Sequence, residues 1–215
     1  HGHTDTAGKR LSGWTPGVHL NARGRAQAER LVERLDGVRI DAIVSSPLER
    51  CRETAAPLAR ARRLAVRIRR AWIGTGYGEW TGRSISQVRR TRLWRTVMHA
   101  PSNARFPGGE SLLEVQARAV EAALDAAREH PRGTVAVVSH ADPVRMMLLH
   151  AAGAPLDALH RWHVDPASVS VIVRGPDGAT SLLKVNDGGG LSAFVGPGRR
   201  PASRRGPGAR RKVGG

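Results

Sequence analysis

The chain has 215 residues, 40% of them hydrophobic, and its 35 basic and 18 acidic side chains give a formal net charge of +17. This composition excludes wholesale disorder and suits one domain with a tail. The single cysteine, Cys51, excludes an internal disulfide and fits a reducing, cytoplasmic setting, and no run of 18 apolar residues is long enough to span a membrane.

The first part of the chain alternates helix and strand patterns. Residues 1–20 are rich in Gly, Pro, Ser and Thr, which predicts a loop. Asn21 is typical of an N-cap before the helical pattern of residues 22–35, and the apolar run Ala42–Val44 predicts a buried strand. A second helix is expected to have Ser46 as its cap and Pro47 at its first position. Residues 64–73 predict another strand.

The second part continues the alternation. A short helix is predicted around Ile85–Met98, and residues 111–130 show the clearest helical periodicity of the chain. The remaining predicted elements are a buried strand at Thr134–Val138, a helix ended by Gly153, a helix at 155–163, and a hairpin of two strands joined through the sequence PDG.

Residues 188–215 are predicted to be a disordered tail that follows a domain of residues 1–187, because Gly, Pro and Arg dominate there. From Gly196 to Gly215 there are seven basic residues and no acidic ones, so the rest of the chain keeps a charge of 28 minus 18, or +10. A basic body favours anionic partners. The segment from Gly196 has no aromatic residue for base stacking, so we interpret it as a solvated appendage, with contact to nucleic acid or acidic lipid as the alternative.

The alternation predicts an α/β fold of three layers, α/β/α, with a mostly parallel sheet. Catalytic loops of such folds follow the carboxyl ends of strands. Three polar clusters are candidates: His1–Thr4, Ser45–Arg50 and Ser139–Asp142. The first has no strand before it, which leads to the expectation that a first, central strand precedes His1 and is missing from this chain.

The residue types in these clusters suit phosphoryl transfer. That chemistry needs a nucleophile, cations that gather the phosphoryl oxygens, and an acid for the leaving oxygen. An imidazole can attack phosphorus, a guanidinium matches a tetrahedral oxyanion, and a second imidazole can stabilise developing charge. His1, Arg50 and His140 are therefore the candidate residues.

Six stretches, in order, resemble the histidine phosphatase superfamily, the phosphoglycerate mutase-like proteins, over about residues 1–185. They are HGHT with LSGW, LNARGRAQAERL, SSPLERCRETA, YGEWTGR, FPGGESL and VVSHADPVR. The resemblance implies a phosphoglycerate mutase-like fold and a phosphomonoester hydrolase that works through phosphohistidine on a small phosphorylated metabolite. It implies neither a cofactor nor a metal.

The resemblance also implies roles. His1, in a loop shared with Gly2, matches the histidine that becomes phosphorylated, Arg50 matches an arginine that binds the phosphoryl group, and His140 matches the second pocket histidine. Glu110, in GGES, matches a glutamate that supports the phosphate-binding arginines.

The sequence departs from the family pattern at three places. The arginine that precedes the histidine is absent, and Ala7 stands where many members carry a phosphate-binding asparagine. Members usually place a proton-donating glutamate at the position of Gly74, and here the next acid is Glu79. Glu79 is therefore the candidate acid, with Asp142 as the alternative.

Two other functions stay open. The departures favour a non-catalytic phosphate-binding or interaction domain of the same fold. A phosphoglycerate mutase-type phosphotransferase is the other alternative, but mutases of the family carry a longer segment than the 24 residues between Gly82 and Pro107.

Overall fold

The protein is described by a computed structural model that covers residues 1–175 and 177–189. The predicted tail, residues 188–215, lies from residue 190 onward outside the described residues. The domain boundary at residue 187 therefore stays a prediction.

The fold is α/β, as predicted, and its centre is a three-stranded parallel sheet. Strand β1 (Ala42–Ser45) lies between β2 (Val66–Ile68) and β3 (Val135–Val138). Ile43 pairs with Val66 on one side and with Ala136 on the other. Because all three strands run in one direction, their carboxyl ends meet at one edge of the sheet, where the loops of a site can gather.

Helices cover both faces of this sheet. Ile43 packs against helix α2 (Glu49–Arg62), on which helix α1 (Ala22–Arg34) lies in turn. The next residue, Val44, faces the other way. It packs with Trp72 and with Ala122, which lies on a long helix, Leu112–Glu129. Successive side chains of a strand point to opposite faces, so β1 contributes to the core on both sides of the sheet.

The segment between β2 and the long helix holds two short helices, α3 (Ile85–Val88) and α4 (Arg92–His99), where the sequence predicted one. The long helix is thus α5, and α6 is Ala141–Ala151. The largest core cluster joins this segment to α5 and α6. Its buried members include Val88, Phe106, Leu112, Val115, Met146 and Leu149.

Short 3₁₀ turns complete the described chain. They are Arg70–Trp72, Gly78–Trp80, Pro101–Asn103 and Leu156–Arg161. The strand predicted over 64–73 is therefore shorter, and the helix predicted over 155–163 is a 3₁₀ turn. The predicted hairpin is confirmed: β4 (Val169–Arg174) pairs antiparallel with β5 (Thr180–Asp187).

Two predicted helix starts have different outcomes. Asn21 caps α1, since its side chain accepts a hydrogen bond from the N–H of Gly24 at 2.9 Å. The start predicted for α2 is wrong: the helix begins at Glu49, and Leu48 is the N-cap without a side-chain bond. Ser46 is instead hydrogen-bonded to His140. A serine in a loop between sheet and helix serves either purpose, and the sequence does not distinguish them.

No helix among the described residues combines the length and apolar character needed to cross a bilayer.

Leu112 and Leu113 offer a matched test of the core, because they are neighbours in α5 with 2% and 51% exposure. We expect Leu112→Ala to lower the free energy of unfolding by about 2–5 kcal/mol, since it opens a cavity in the largest cluster. Leu113→Ala removes the same atoms from a surface position and should cost about 0.5 kcal/mol or less. Urea denaturation of both variants measures the difference, and equal losses would contradict the packing described.

Candidate active site

The loops after β1 and β3 and the first residues of the chain meet at the carboxyl edge of the sheet. The amino group of His1 donates to the carbonyl of Ser139 at 2.9 Å, and the rings of His1 and His140 stand edge to face with centroids 5.1 Å apart. Ser46 bonds the Nε2 atom of His140 at 2.8 Å. All three predicted polar clusters therefore contribute to one place.

The imidazole of His1 has a defined tautomer. Its Nδ1 lies 2.8 Å from the carbonyl oxygen of Gly2. A carbonyl oxygen can accept a hydrogen bond and cannot donate one, so Nδ1 carries the proton. In the neutral ring Nε2 then has the free lone pair, which is the form required of a nucleophile.

His140 is a neutral imidazole held deep in the site. It is 7% exposed, and burial together with the nearby Arg50 guanidinium lowers its pKa well below the ordinary value of 6.5. Its Nε2 also lies 3.4 Å from the thiol of Cys51, whose own pKa burial raises. The neutral ring of His140 still has one N–H group, which can donate a hydrogen bond to an anion.

Arg50 is a buried cation with backbone partners. Arg50 is 3% exposed. Its Nη2 donates to the carbonyl of Gly13 at 2.7 Å, and its Nη1 donates to the carbonyl of Thr15 at 3.4 Å. Burial lowers its pKa from the ordinary 12.5, but a guanidinium remains charged at neutral pH. Among the described residues no carboxylate forms an ion pair with it, so the site holds an uncompensated positive charge.

Gly2 has a packing role that its sequence motif does not reveal. Its N–H donates to the hydroxyl of Thr54 at 2.9 Å, and that hydroxyl donates to the carbonyl of Arg50 at 2.6 Å. A Cβ on Gly2 would lie 2.6 Å from the carbonyl oxygen of Gly24. The loop of His1 thus touches α1 through main-chain atoms, which fixes the position of the imidazole.

Glu110 supports an arginine, Arg118 of α5. Glu110 accepts from Nε of Arg118 at 2.8 Å and from Nη2 at 3.0 Å, and it also accepts from the N–H of Gly76 at 2.7 Å. Arg118 in turn donates to the carbonyls of Ala71, Ile73 and Gly74. The pair therefore fixes the loop of residues 71–76. Sequence analysis did not identify Arg118, which lies in α5, whereas Glu110 lies just before the N-cap Ser111 of that helix.

The loop held by Arg118 packs on His140. A Cβ on Gly74 would lie 3.2 Å from Cγ of that ring. The nearby carboxylate of Asp142 accepts from the hydroxyls of Thr75 and Tyr77, each at 2.9 Å, and lies 3.4 Å from Arg145. The oxygens of Asp142 are therefore occupied by hydrogen bonds and an ion pair within its own surroundings.

Glu79 is an exposed residue of the 3₁₀ turn Gly78–Trp80 and forms no hydrogen bond with His1 or His140 among the described residues. Its Cγ approaches Gly108, and Gly108 lines a pocket of about 350 Å³. The other lining residues are Trp14, Gly76, Tyr77, Gly78, Thr81, Gly109 and Glu110. Trp14 and Gly76 join this pocket to the loop that packs on His140, since the Trp14 indole donates to the carbonyl of Gly74 at 2.7 Å.

Within residues 1–175 and 177–189, no group of three or more His, Cys, Asp or Glu side chains could hold a metal ion. What the structure does bring together is the imidazole of His1, the buried imidazole of His140 and the buried guanidinium of Arg50.

Comparison with known proteins agrees with this arrangement. The model of the histidine phosphatase superfamily (branch 1) matches residues 1–188. Phosphoserine phosphatase 1 of Hydrogenobacter thermophilus is 34% identical over 155 residues, which cover 71% of this chain and 74% of that protein.

Two further similarities cover more of the chain. The bifunctional protein Rv2228c of Mycobacterium tuberculosis is 34% identical over 196 residues, 89% of this chain, and the chain spans 53% of that protein's length. The solved structure of Bacillus stearothermophilus YhfR superposes with a TM-score of 0.81 at 27% identity and covers 87% of this chain and 94% of its own.

The matched family model extends over nearly all described residues, and the loops that carry His1, Arg50 and His140 all fall inside it. The chain is a member of the histidine phosphatase superfamily.

Proposed function

We propose that this protein hydrolyses phosphomonoesters of small metabolites through a phosphohistidine at His1. The observation that carries the proposal is the buried, carboxylate-free guanidinium of Arg50 beside two imidazoles, one of which has its Nε2 lone pair free. A tetrahedral dianion is the ligand that such a site lacks, because it supplies the missing negative charge and accepts several N–H groups at once.

The proposed reaction has two steps. Nε2 of His1 attacks phosphorus, an N–P bond forms, and the bond between phosphorus and the ester oxygen breaks while that oxygen takes up a proton. Water then attacks the phosphohistidine, the N–P bond breaks, and inorganic phosphate leaves. In both steps Arg50 and His140 hold the equatorial oxygens, where negative charge is spread in the transition state.

In the proposal, Glu110 affects this site indirectly, through Arg118. Its pairing with Arg118 orders the loop that packs on His140, so both are positioning residues in the proposal. Gly2 is proposed to belong to the substrate-binding loop through the close packing that places His1, since its N–H is already bonded to Thr54.

The pocket beside the loop suits the remainder of a small substrate. Its volume of about 350 Å³ matches a metabolite and not a macromolecule, and glycines make up four of its eight lining residues. A phosphatase relative at 34% identity supports hydrolysis as the outcome. The identity of the phosphomonoester is left to a substrate screen.

A non-catalytic phosphate-binding domain is the second candidate. It is favoured by Gly74, which places backbone and no carboxylate against His140, and by the exposed position of Glu79, which has no hydrogen bond to either histidine among the described residues. Phosphate-dependent stabilisation without product would identify a binder. Turnover would identify the enzyme.

The first test is turnover of p-nitrophenyl phosphate between pH 5 and 8. We expect His1→Ala to lower kcat by about 10²-fold or more, because it removes the nucleophile. Rapid quenching with a ³²P-labelled monoester should trap an acid-labile, base-stable phosphoenzyme in the unchanged protein and none in the variant.

His19→Ala is the matched control, since His19 lies in the same amino-terminal segment with an exposed side chain bonded to Glu53. It should keep both turnover and the trapped intermediate. Equal turnover in the unchanged protein and His1→Ala, with both folded by circular dichroism, would contradict the hydrolase proposal.

The second test concerns the proposed proton donor, Glu79. A general acid matters most when the leaving group is a poor one, so Glu79→Gln should slow an alkyl phosphate by about 10²-fold and p-nitrophenyl phosphate far less. Asp142→Asn is the comparison, because that carboxylate is occupied by Thr75, Tyr77 and Arg145. A larger leaving-group dependence in Asp142→Asn would transfer the role to Asp142.

The third test uses the buried neutral state of His140. Its folded pKa lies well below 6.5, so below pH 6.5 the unfolded chain binds a proton that the folded chain does not. His140 therefore contributes stability above pH 6.5 that is lost as the pH falls. We expect the fall in thermal midpoint between pH 7.5 and 5.5 to be smaller in His140→Gln than in the unchanged protein.

His150→Gln serves as the control for this pH test, because His150 is an exposed histidine of the same helix, α6. It should leave the acid-side loss of stability unchanged. The same loss in all three proteins would show that the site does not hold His140 neutral.

A further inference from the structure

The two nitrogens of the His140 ring lie in different surroundings. Nε2 lies 2.8 Å from Oγ of Ser46 and 3.4 Å from Sγ of Cys51. Nδ1 forms no hydrogen bond within the described part of the chain, and it is not one of the fully buried polar atoms that lack a partner, so it stays open to solvent. A neutral imidazole has one N–H and one lone pair, so the neighbours of Nε2 decide which nitrogen carries the proton.

The hydroxyl of Ser46 needs an acceptor for its proton. Ser46 is 0% exposed, and a buried hydroxyl whose proton finds no acceptor costs free energy. Its two hydrogen-bond partners among the described residues are Nε2 of His140 and the N–H of Leu48, at 3.4 Å. The N–H of Leu48 is itself a donor, so the proton of the hydroxyl goes to Nε2. The lone pair of the His140 ring is therefore on Nε2.

The thiol of Cys51, the second neighbour of Nε2, agrees with this direction. Burial raises the pKa of the thiol, so it keeps its proton at neutral pH, and it donates to the carbonyl of Ser139 at 3.4 Å. A sulfur atom is at most a weak acceptor. Neither neighbour of Nε2 thus requires a proton from the ring, and the ring proton lies on Nδ1.

The backbone at Gly74 leaves Nδ1 uncovered. A Cβ on Gly74 would lie 3.4 Å from this nitrogen, so a longer side chain there would lie against it. The ring of His1 stands edge to face with the ring of His140, with centroids 5.1 Å apart. A phosphoryl group bound at His1 therefore comes within reach of the uncovered nitrogen.

We propose that Ser46 is a positioning residue for phosphoryl binding, because it fixes the tautomer of His140 so that Nδ1–H, and not a lone pair, faces the phosphoryl oxygens. The inference rests on the proposed function, since the phosphoryl group is the ligand that Nδ1–H meets. A lone pair in that place would repel an oxyanion, whereas an N–H donates to it. The pKa of His140 lies well below 6.5, so at neutral pH the ring has one proton and its tautomer decides which group the ligand meets.

Nuclear magnetic resonance reads the tautomer directly. We expect long-range ¹H–¹⁵N spectra of the 215-residue chain, labelled with ¹⁵N-histidine, to show a protonated Nδ1 and an unprotonated Nε2 for His140 at pH 7. His140→Gln assigns these signals, because they are missing in that variant. An Nε2–H form in the unchanged protein would overturn the proposal without the use of any Ser46 variant.

Two serine variants test the cause of the tautomer. Ser46→Ala removes the donor, so His140 should shift toward the Nε2–H form, and the affinity for inorganic phosphate, measured by calorimetry, should fall about tenfold. Ser45→Ala is the matched control, because Ser45 is also 0% exposed and the hydrogen bond of its hydroxyl goes to the carbonyl of Ser46. It should keep the Nδ1–H form and the phosphate affinity. Thermal melting establishes that both variants fold.

The outcomes distinguish this proposal from that of hydrolysis. An unchanged tautomer in Ser46→Ala, or a phosphate affinity that does not follow the tautomer, would overturn the role of Ser46. A protonated Nδ1 with the tenfold loss of phosphate affinity in Ser46→Ala, but without turnover of any phosphomonoester by the unchanged protein, would support the role of Ser46 and contradict the hydrolase proposal alone.

Discussion

The positive charge of Arg50, buried without a carboxylate, is the constraint around which the site is arranged. A buried charge is costly unless it is hydrogen-bonded, and here the carbonyls of Gly13 and Thr15 meet that need in part. The same charge contributes to holding His140 neutral. Through its own carbonyl, Arg50 also anchors Thr54 and thereby the loop of His1. One residue thus sets the electrostatics and part of the geometry.

The ion pair between Glu110 and Arg118 orders the loop that packs on His140. Glu110 and Arg118 are both about one-fifth exposed, and nearly all their donors and acceptors are directed at each other or at backbone between Ala71 and Gly76. Their charges cancel within the pair, so they order the loop without competing for an anion. The charge of Arg118 is therefore balanced by Glu110, whereas among the described residues no carboxylate pairs with Arg50.

Much of the fold could be predicted from periodicity and capping chemistry. Asn21 before α1 and the helix pattern after Ser111 gave the correct starts, since a local pattern determines each. The start of α2 could not be predicted, because the hydroxyl of Ser46 bonds a histidine 94 residues away. The length of the strand after Leu64 was overestimated for a similar reason: the chain leaves the sheet at Arg69 to place Trp72 in the core.

The site could be predicted in part. The types and loop positions of His1, Arg50 and His140 indicated that they would meet, because carboxyl ends of parallel strands share an edge. The tautomer of His1 and the role of Arg118 depend on tertiary contacts with carbonyl groups, which leave no mark on a single sequence. The proton donor stays a proposal for the same reason, since neither Glu79 nor Asp142 touches the histidine rings.

The contact between Gly2 and Gly24 has a mechanical consequence. A Cβ on Gly24 would lie 2.1 Å from the carbonyl oxygen of His3, so the first turn of α1 rests directly on the backbone of the histidine loop. A side chain can adjust to a small displacement by changing its rotamer. Main-chain atoms in direct contact cannot adjust in this way. A displacement of the first turn of α1 is therefore expected to displace the backbone of the histidine loop, and with it His1.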